Sequence, residues 1–252
     1  MASAPRLEGK VAIVTGAGSR AEGIGNGRAA AVLFACEGAR VLLVDREPEV
    51  AEATLAMIQD EDGEAAVFQA DVTASEDCHA MVADAVTRWG RLDILHNNVG
   101  IGGRGSVVEM DVEDWERIMQ VNVTGMMLAS KHAIPAIKES GGGAIVNISS
   151  LAGIVGSGSS IAYAASKGAL ITLTQSLARA FAPEVRVNAL APGVILTRWV
   201  EGNEEFVQQY IDATAVKKAC PPESIAHAVI FLIESEVITG QTVVMDGGLT
   251  LG

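Results

Sequence analysis

The chain has 252 residues, 49% hydrophobic and 19% charged, with 27 glycines, a composition that suits one globular α/β domain and excludes a disordered or collagen-like chain. Lysine and arginine number 18 against 31 aspartates and glutamates, and the net charge of −13 argues against a nucleic-acid partner. Cys36, Cys78 and Cys220 form no Cys-x-x-Cys pair, no apolar run reaches the ~20 residues that cross a bilayer, and the first ten residues lack the apolar core of a signal peptide, so the expectation is a cytoplasmic protein without disulfides, structural zinc or a membrane span.

In chain order, runs rich in β-branched residues and alanine-rich stretches with helical spacing alternate. They predict a strand at 11–15, a helix at 25–37, a strand at 40–45, a helix at 48–60, a strand at 65–70, a helix at 75–89 and a strand at 92–97. A long helix at 112–137, a strand at 143–149, a helix at 163–181, a strand at 185–191, a helix at 222–233 and a strand at 241–245 follow. Nearly all-apolar strands are buried on both faces, and helical crossovers make neighbours run parallel. The expected fold class is therefore α/β, a doubly wound seven-stranded parallel sheet with helices on both faces. No repeat or linker divides residues 1–252, because the turn clusters at 100–105 and 156–160 are too short to be linkers.

Thr15, Gly16, Ala17, Gly18, Ser19, Arg20, Ala21, Glu22, Gly23, Ile24 and Gly25 join the first strand to a helix. Glycines let backbone approach a pyrophosphate, and the helix N-terminus offers free N–H groups and a positive dipole end. Arg20 either steadies a phosphate or faces solvent. The second strand ends in Asp45, about 20 residues past the glycines, where a carboxylate accepts hydrogen bonds from an adenosine ribose. A 2′-phosphate about 4 Å away would be repelled by ~1 kcal/mol in water and ~4 kcal/mol at an effective dielectric of 20. Asp45 thus favours NAD over NADP, and Arg46 softens the discrimination. Asp71, followed by Val72 after the third strand, reads as an adenine contact or as part of a helix cap. Asn97, Asn98, Val99 and Gly100 follow the fourth strand, where amides either tie strands together, the expectation for Asn97, or line a cofactor trough.

Tyr163, one of two tyrosines, precedes Lys167 by four positions, so both occupy one helix face. A nearby ammonium favours the phenolate. Lowering a phenol by ~3 units takes about 4 kcal/mol, close to what one charge 4 Å away supplies at an effective dielectric of 20, so Lys167 is expected to depress Tyr163. Ser149 and Ser150 close the fifth strand and point in opposite directions. Asn122 lies within the predicted long helix, where asparagine needs a partner to justify it. His79, His96, His132 and His227 form no ligand motif and read as satisfied or solvated, with no metal implied.

From about residue 10 to 248 the chain resembles the short-chain dehydrogenase/reductase family in its compact subfamily of about 250 residues. The resemblance rests on the 15–25 loop, Asp71, Asn97-Asn98-Val99-Gly100, Asn122, Ser150, the Tyr163/Lys167 pair, Pro192-Gly193 with Thr197, Ile238-Thr239-Gly240-Gln241 and Asp246-Gly247-Gly248. It implies a Rossmann-type fold, a homotetramer and hydride transfer between substrate carbon and a nicotinamide. Tyr163 would be the general acid or base. Ser150, thirteen residues before it as in the family, would orient the substrate oxygen. Lys167 would bind the nicotinamide ribose and lower the tyrosine pKa, and Asn122 would hold a relay water. Pro192, Gly193 and Val194 would border the nicotinamide, the latter two contacting its carboxamide by backbone, with Thr197 adding a side chain. Gly16, Ser19, Arg20, Gly23, Ile24, Gly25, Asp45, Arg46, Asp71, Val72, Asn98, Val99 and Gly100 complete the expected cofactor set, with NAD ahead of NADP. Three departures stand out: six residues rather than three between Gly16 and Gly23, Val99 in place of alanine, and a 231–238 segment shorter by a residue or two.

The 198–216 segment, where the family places a substrate lid, carries Trp199, Val200, Phe206, Val207, Tyr210 and Ile211. With Ile154 and Val155 these make apolar walls, and the expected substrate is a hydrophobic cyclic or aryl secondary alcohol and its ketone, held by Ser150, Ile154, Tyr163, Trp199, Phe206 and Tyr210. The same aromatics read equally well as lid packing. Four rivals stand beside this reading. An enoyl reductase of the same superfamily resembles a pattern with six residues between tyrosine and lysine, against three here. An epimerase would be longer. A non-catalytic dinucleotide sensor has no need of Asn122, Ser150, Tyr163 and Lys167 together. An NADP-dependent ketone reductase differs in cofactor.

Overall fold

The computed structural model describes residues 4–19, 23–197, 200 and 202–251. Its strands are β1 (Val11–Thr15), β2 (Arg40–Asp45), β3 (Ala65–Gln69), β4 (Ile94–Asn97), β5 (Gly143–Ile148), β6 (Val185–Pro192) and β7 (Thr242–Met245). They form one seven-stranded sheet in the order β3-β2-β1-β4-β5-β6-β7, every neighbouring pair parallel. Chain order reverses direction between β1 and β4, and in such sheets the crevice outside the carboxyl ends at that point is where ligands bind.

The helices are α1 (Asn26–Cys36), α2 (Pro48–Asp60), α3 (Ser75–Trp89), α4 (Val112–Met119), α5 (Gly125–Glu139), α6 (Ala152–Val155), α7 (Ile161–Phe181), α8 (Glu204–Ala213) and α9 (Pro222–Glu234). Strand alternation divides the core. Val11 and Ile13 join Leu42 and Val44 against Cys78 and Met81 of α3 and Ala129, Ala133 and Ile134 of α5. Ala12 and Val14 join Val41 and Leu43 against Phe34 of α1 and Val229 and Ile230 of α9. Each large side chain so buried contributes about 1.5–3 kcal/mol. Among the described residues no helix is long and apolar enough to cross a membrane.

The structure departs from the sequence expectations in two places that matter for the site. The long helix expected at 112–137 is broken into α4, a π-helical turn at Gln120–Thr124 and α5. The turn inserts one extra residue into the helical repeat, a device common at functional sites, and it buries Asn122 completely. Helix α8, within the segment expected only as a lid, has no fully buried residue, although Phe206, Val207, Tyr210 and Ile211 share one face and the last three are half-buried.

His96 also differs from expectation. It is fully buried on β4, edge-on to Phe34, and neither ring nitrogen completes a hydrogen bond among the described residues. Burial pushes its pKa down to about 4, and the backbone of Val146, its registered partner on β5, offsets only part of this. The folded state resists protonation that the unfolded chain accepts below pH ~6.5, so stability falls as pH drops from 6.5 towards 4. Replacing His96→Leu is expected to remove up to about 3 kcal/mol of that acid sensitivity, measured as the change in urea midpoint between pH 7 and pH 4.5. An unchanged pH slope would show that His96 takes up its proton alike in the folded and unfolded states.

Candidate active site

A cavity of about 1500 Å³ opens along the carboxyl edge of the sheet, from Asp45 and Arg46 past Gly16 and Asn98 to Lys167, Tyr163 and Gly193. It exceeds the ~300–1,000 Å³ usual for one small ligand and suits a dinucleotide with a substrate beside it.

The glycine turn forms its floor. Gly16 adopts φ +65°, the left-handed region. A Cβ at Gly27, inside α1, would lie 2.0 Å from the Gly16 carbonyl oxygen, and one at Gly18 would lie 2.3 Å from Val50 Cγ2. These two glycines, absent from the expected set, let α1 and α2 approach the turn. Their signal was present in the sequence as the Gly-x-Gly spacing continued from Gly25 to Gly27. Gly25 caps α1 without a side-chain bond, leaving the helix's first N–H groups to the cavity, and among the described residues the buried Asn26 Oδ1 beside them has no partner. Free donors, an orphaned acceptor and backbone bared by glycine fit the phosphates and ribose of a dinucleotide. Gly23 and Ile24 do not line the cavity. Ile24 faces solvent, and the Gly23 carbonyl accepts from Arg28 Nη1 at 2.8 Å. Arg28, buried on α1, also donates through Nε to Thr54 Oγ1 at 3.0 Å, and Thr54 donates to the Ala17 carbonyl at 2.8 Å, so both ends of the loop are clamped to α2. Arg20 lies outside the described residues.

Asp45 borders the cavity at the end of β2 and accepts from the Gly18 and Glu47 N–H groups, each at 3.2 Å. Arg46 turns to Glu47 at 3.5 Å. Asp71 lines the cavity with Val72 while accepting from the Thr73 N–H and hydroxyl, so it organises its own turn. Asn97 is buried and donates to Asn147 and Ser130, a strand tie. Asn98 donates to the carbonyls of Thr15 and Gly16 and, with Val99 and Gly100, lines the cavity.

At the other end β5 delivers Ser149 and Ser150 in opposite senses. Ser149 Oγ donates to the Lys167 carbonyl at 2.7 Å, whereas Ser150 hydrogen-bonds the Tyr163 hydroxyl. Ser160 caps α7 by accepting from the Tyr163 N–H, and one turn further Lys167 points into the interior, its Nζ donating to the Ile148 carbonyl at 2.8 Å. Lys167 Nζ lies 5.7 Å from the Tyr163 ring centroid. A Cβ at Gly100 would stand 3.1 Å from that Nζ, so glycine there makes room for the amine. Asn122 donates to the Ile101 carbonyl and Ser166 and accepts from the Ile101 N–H, which uses both of its side-chain N–H groups and ties the π-helical turn to the 100–101 loop and α7.

The expected depression of Tyr163 by Lys167 is not what the protein groups produce. Burial pushes the Tyr163 phenol up, with the Ser150 bond opposing, and burial pushes Lys167 down to about 7. Taking the ammonium out of water costs it the charge that was to act on the phenol.

On the substrate side, Ile154 is exposed and outside the lining, a correction to the expected set: the turn of α6 directs Leu151, Ala152 and Val155 to the cavity instead. Phe206 and Tyr210 of α8 line it, as do Pro192, Val194, Ile195, Thr197 and Val200. Trp199 lies outside the described residues. Leu249 and Thr250, after β7, also border the cavity; only the preceding Asp246-Gly247-Gly248 turn hinted in sequence that the chain returns there.

A family model described as enoyl-(acyl carrier protein) reductase matches residues 18–250. The 2-(S)-hydroxypropyl-CoM dehydrogenase 3 of Xanthobacter autotrophicus is 39% identical, over 97% of this chain and 98% of its own. The cyclohexanol dehydrogenase of an Acinetobacter species is 34% identical, over 97% and 96%. The crystal structure of a Burkholderia xenovorans protein described as a short-chain dehydrogenase/reductase superposes with a TM-score of 0.94 at 39% identity, covering 99% of each chain.

Lys167 makes the site costly to the fold. With a folded pKa of about 7 against 10.5 unfolded, the unfolded chain binds more protons between these values, so the penalty is full below pH 7 and disappears as pH rises to 10.5. Lys167→Met is expected to raise stability at pH 7 by up to about 5 kcal/mol, the gap to wild type closing towards pH 10 in urea titrations. A gap independent of pH would mean the buried amine is not the cause.

Proposed function

The chain belongs to the short-chain dehydrogenase/reductase family, and we propose that it is an NAD-dependent oxidoreductase interconverting a hydrophobic cyclic or aryl secondary alcohol and its ketone. The observation that carries the reading is the Ser150–Tyr163 hydrogen bond, beside buried Lys167, in a cavity whose far wall is apolar. The nicotinamide supplies hydride exchange with the carbinol carbon when bound. Tyr163 takes the hydroxyl proton of an alcohol or returns one to a ketone, and Ser150 holds the substrate oxygen against it. Lys167 holds ribose hydroxyls, and Asn122 anchors the water that links it to solvent. Gly193 and Val194 meet the carboxamide.

The three-residue spacing between Tyr163 and Lys167 favours this reaction over the enoyl reduction that the matched family description names. Val155, Ile195, Val200, Phe206 and Leu249 around the cavity support an apolar substrate, and the Acinetobacter relative is named for a cyclic secondary alcohol. Asp45, held by two backbone N–H groups at the adenosine end, supports NAD. A cytoplasmic homotetramer completes the reading, resting on the family resemblance and the unpaired cysteines of the sequence.

Because burial raises the Tyr163 pKa, the phenol is a ready acid at neutral pH and a scarce base. Alcohol oxidation is expected to rise with pH through the alkaline range, and ketone reduction to fall over the same range, in NADH absorbance assays. Tyr163→Phe should lower turnover by about 10²–10⁴-fold while NADH binding persists; wild-type binding without turnover across aliphatic, cyclic and aryl alcohols would favour the sensor. Asp45→Asn should improve use of NADP relative to NAD by about fivefold or more, and an unchanged ratio would move the preference to the glycine loop.

A further inference from the structure

Helix α8 is an outlier in this fold. It fully buries no residue, and Gln208–Asp212 and Gln209–Glu205 are bonds within the helix. Among the described residues, Tyr210 is the one α8 side chain that hydrogen-bonds another element. Its hydroxyl donates to the Asp246 carbonyl, just past β7, at 3.0 Å and accepts from the Val194 N–H, just past β6. It also fills the space beside Gly193: a Cβ there would lie 1.9 Å from the Tyr210 oxygen. Glycine at 193 is thus demanded by the tyrosine, apart from any ligand.

We propose that Tyr210 is a positioning residue, a latch that fixes α8 across the ends of β6 and β7 and so sets the apolar wall carried by Phe206 against the reacting centre. The proposal deepens the alcohol–ketone reading and rests on it for what the wall contacts. Tyr210 therefore acts by holding the helix, beyond the place in an apolar lid wall that its position in the sequence suggested. With both of its backbone partners satisfied by one phenol, loss of that oxygen leaves the Asp246 carbonyl and the Val194 N–H without their bond and α8 without its tie.

The test is Tyr210→Phe in the full-length protein, read by amide hydrogen exchange and by kinetics. Exchange over residues 204–213 is expected to quicken about tenfold with α1 unchanged. KM for a cyclic secondary alcohol should rise about fivefold with kcat nearly retained, and NADH affinity should not change. Gly193→Ala, which displaces the hydroxyl without removing it, should quicken exchange in α8 in the same way. Unaltered exchange in both variants overturns the latch, as does faster exchange with KM unmoved, since α8 would then be no wall. NADH affinity falling in step with KM would place Tyr210 in the cofactor site and overturn it too. If instead Tyr163→Phe retained turnover, the reaction assignment would fall while the exchange result stood.

Discussion

A parallel sheet runs out of ladder partners all at once: at its carboxyl edge every strand presents backbone carbonyl or N–H groups that no neighbour can pair, and buried groups left so are costly. Much of the polar architecture of this protein answers that constraint. Asn98 takes the carbonyls of Thr15 and Gly16 after β1, Thr15 takes that of His96 on β4, and Lys167 takes that of Ile148 at the end of β5. Tyr210 takes that of Asp246 beyond β7, and Asp45 receives the Gly18 N–H beyond β1. The side chains that satisfy the edge are among those that line the cavity, so the groups available for chemistry are by-products of closing the sheet.

Placing titratable groups there sets two effects against each other. A buried ammonium near a phenol gains Coulomb attraction in a lower dielectric but loses hydration, and for Lys167 the second effect wins, burial driving its fall to about 7. Distance and dielectric alone favour the Tyr163 phenolate, and burial reverses that sign. What remains is an amine near its midpoint at neutral pH beside a phenol that holds its proton, a pair whose state is sensitive to any further charge brought near it.

The sheet, its order of strands and helices and the Tyr163–Lys167 pair were legible in the sequence because each is written in local spacing, all-apolar strands and i to i+4 on one helix, whereas alternation separated Ser149 from Ser150 without choosing between them and the family resemblance made the choice. What escaped depends on contacts between distant segments. The π-helical turn at 120–124 follows from Asn122 reaching both Ile101 and Ser166, neither near it in sequence. Gly27 is required by the Gly16 carbonyl, and α8 by a single hydroxyl. His96 looked like any strand histidine until its ring proved to be fully enclosed, with neither nitrogen completing a hydrogen bond among the described residues. Ile154 and Val155 were indistinguishable as apolar neighbours, and the short helix α6 brings only Val155 to the cavity.

The clamp on the glycine loop has a consequence for how such a chain can vary over generations. Arg28 and Thr54 fix the loop at Ala17 and Gly23, and Gly18 packs against α2, so β1, α1 and α2 are held together from the two ends of the segment. Doubling the number of residues in a closed loop costs only about 0.6 kcal/mol in closure entropy. A lineage can therefore lengthen the stretch between Gly16 and Gly23 from three residues to six at little cost to the sheet beneath, which makes the glycine loop a place where cofactor handling can drift while the fold stands still.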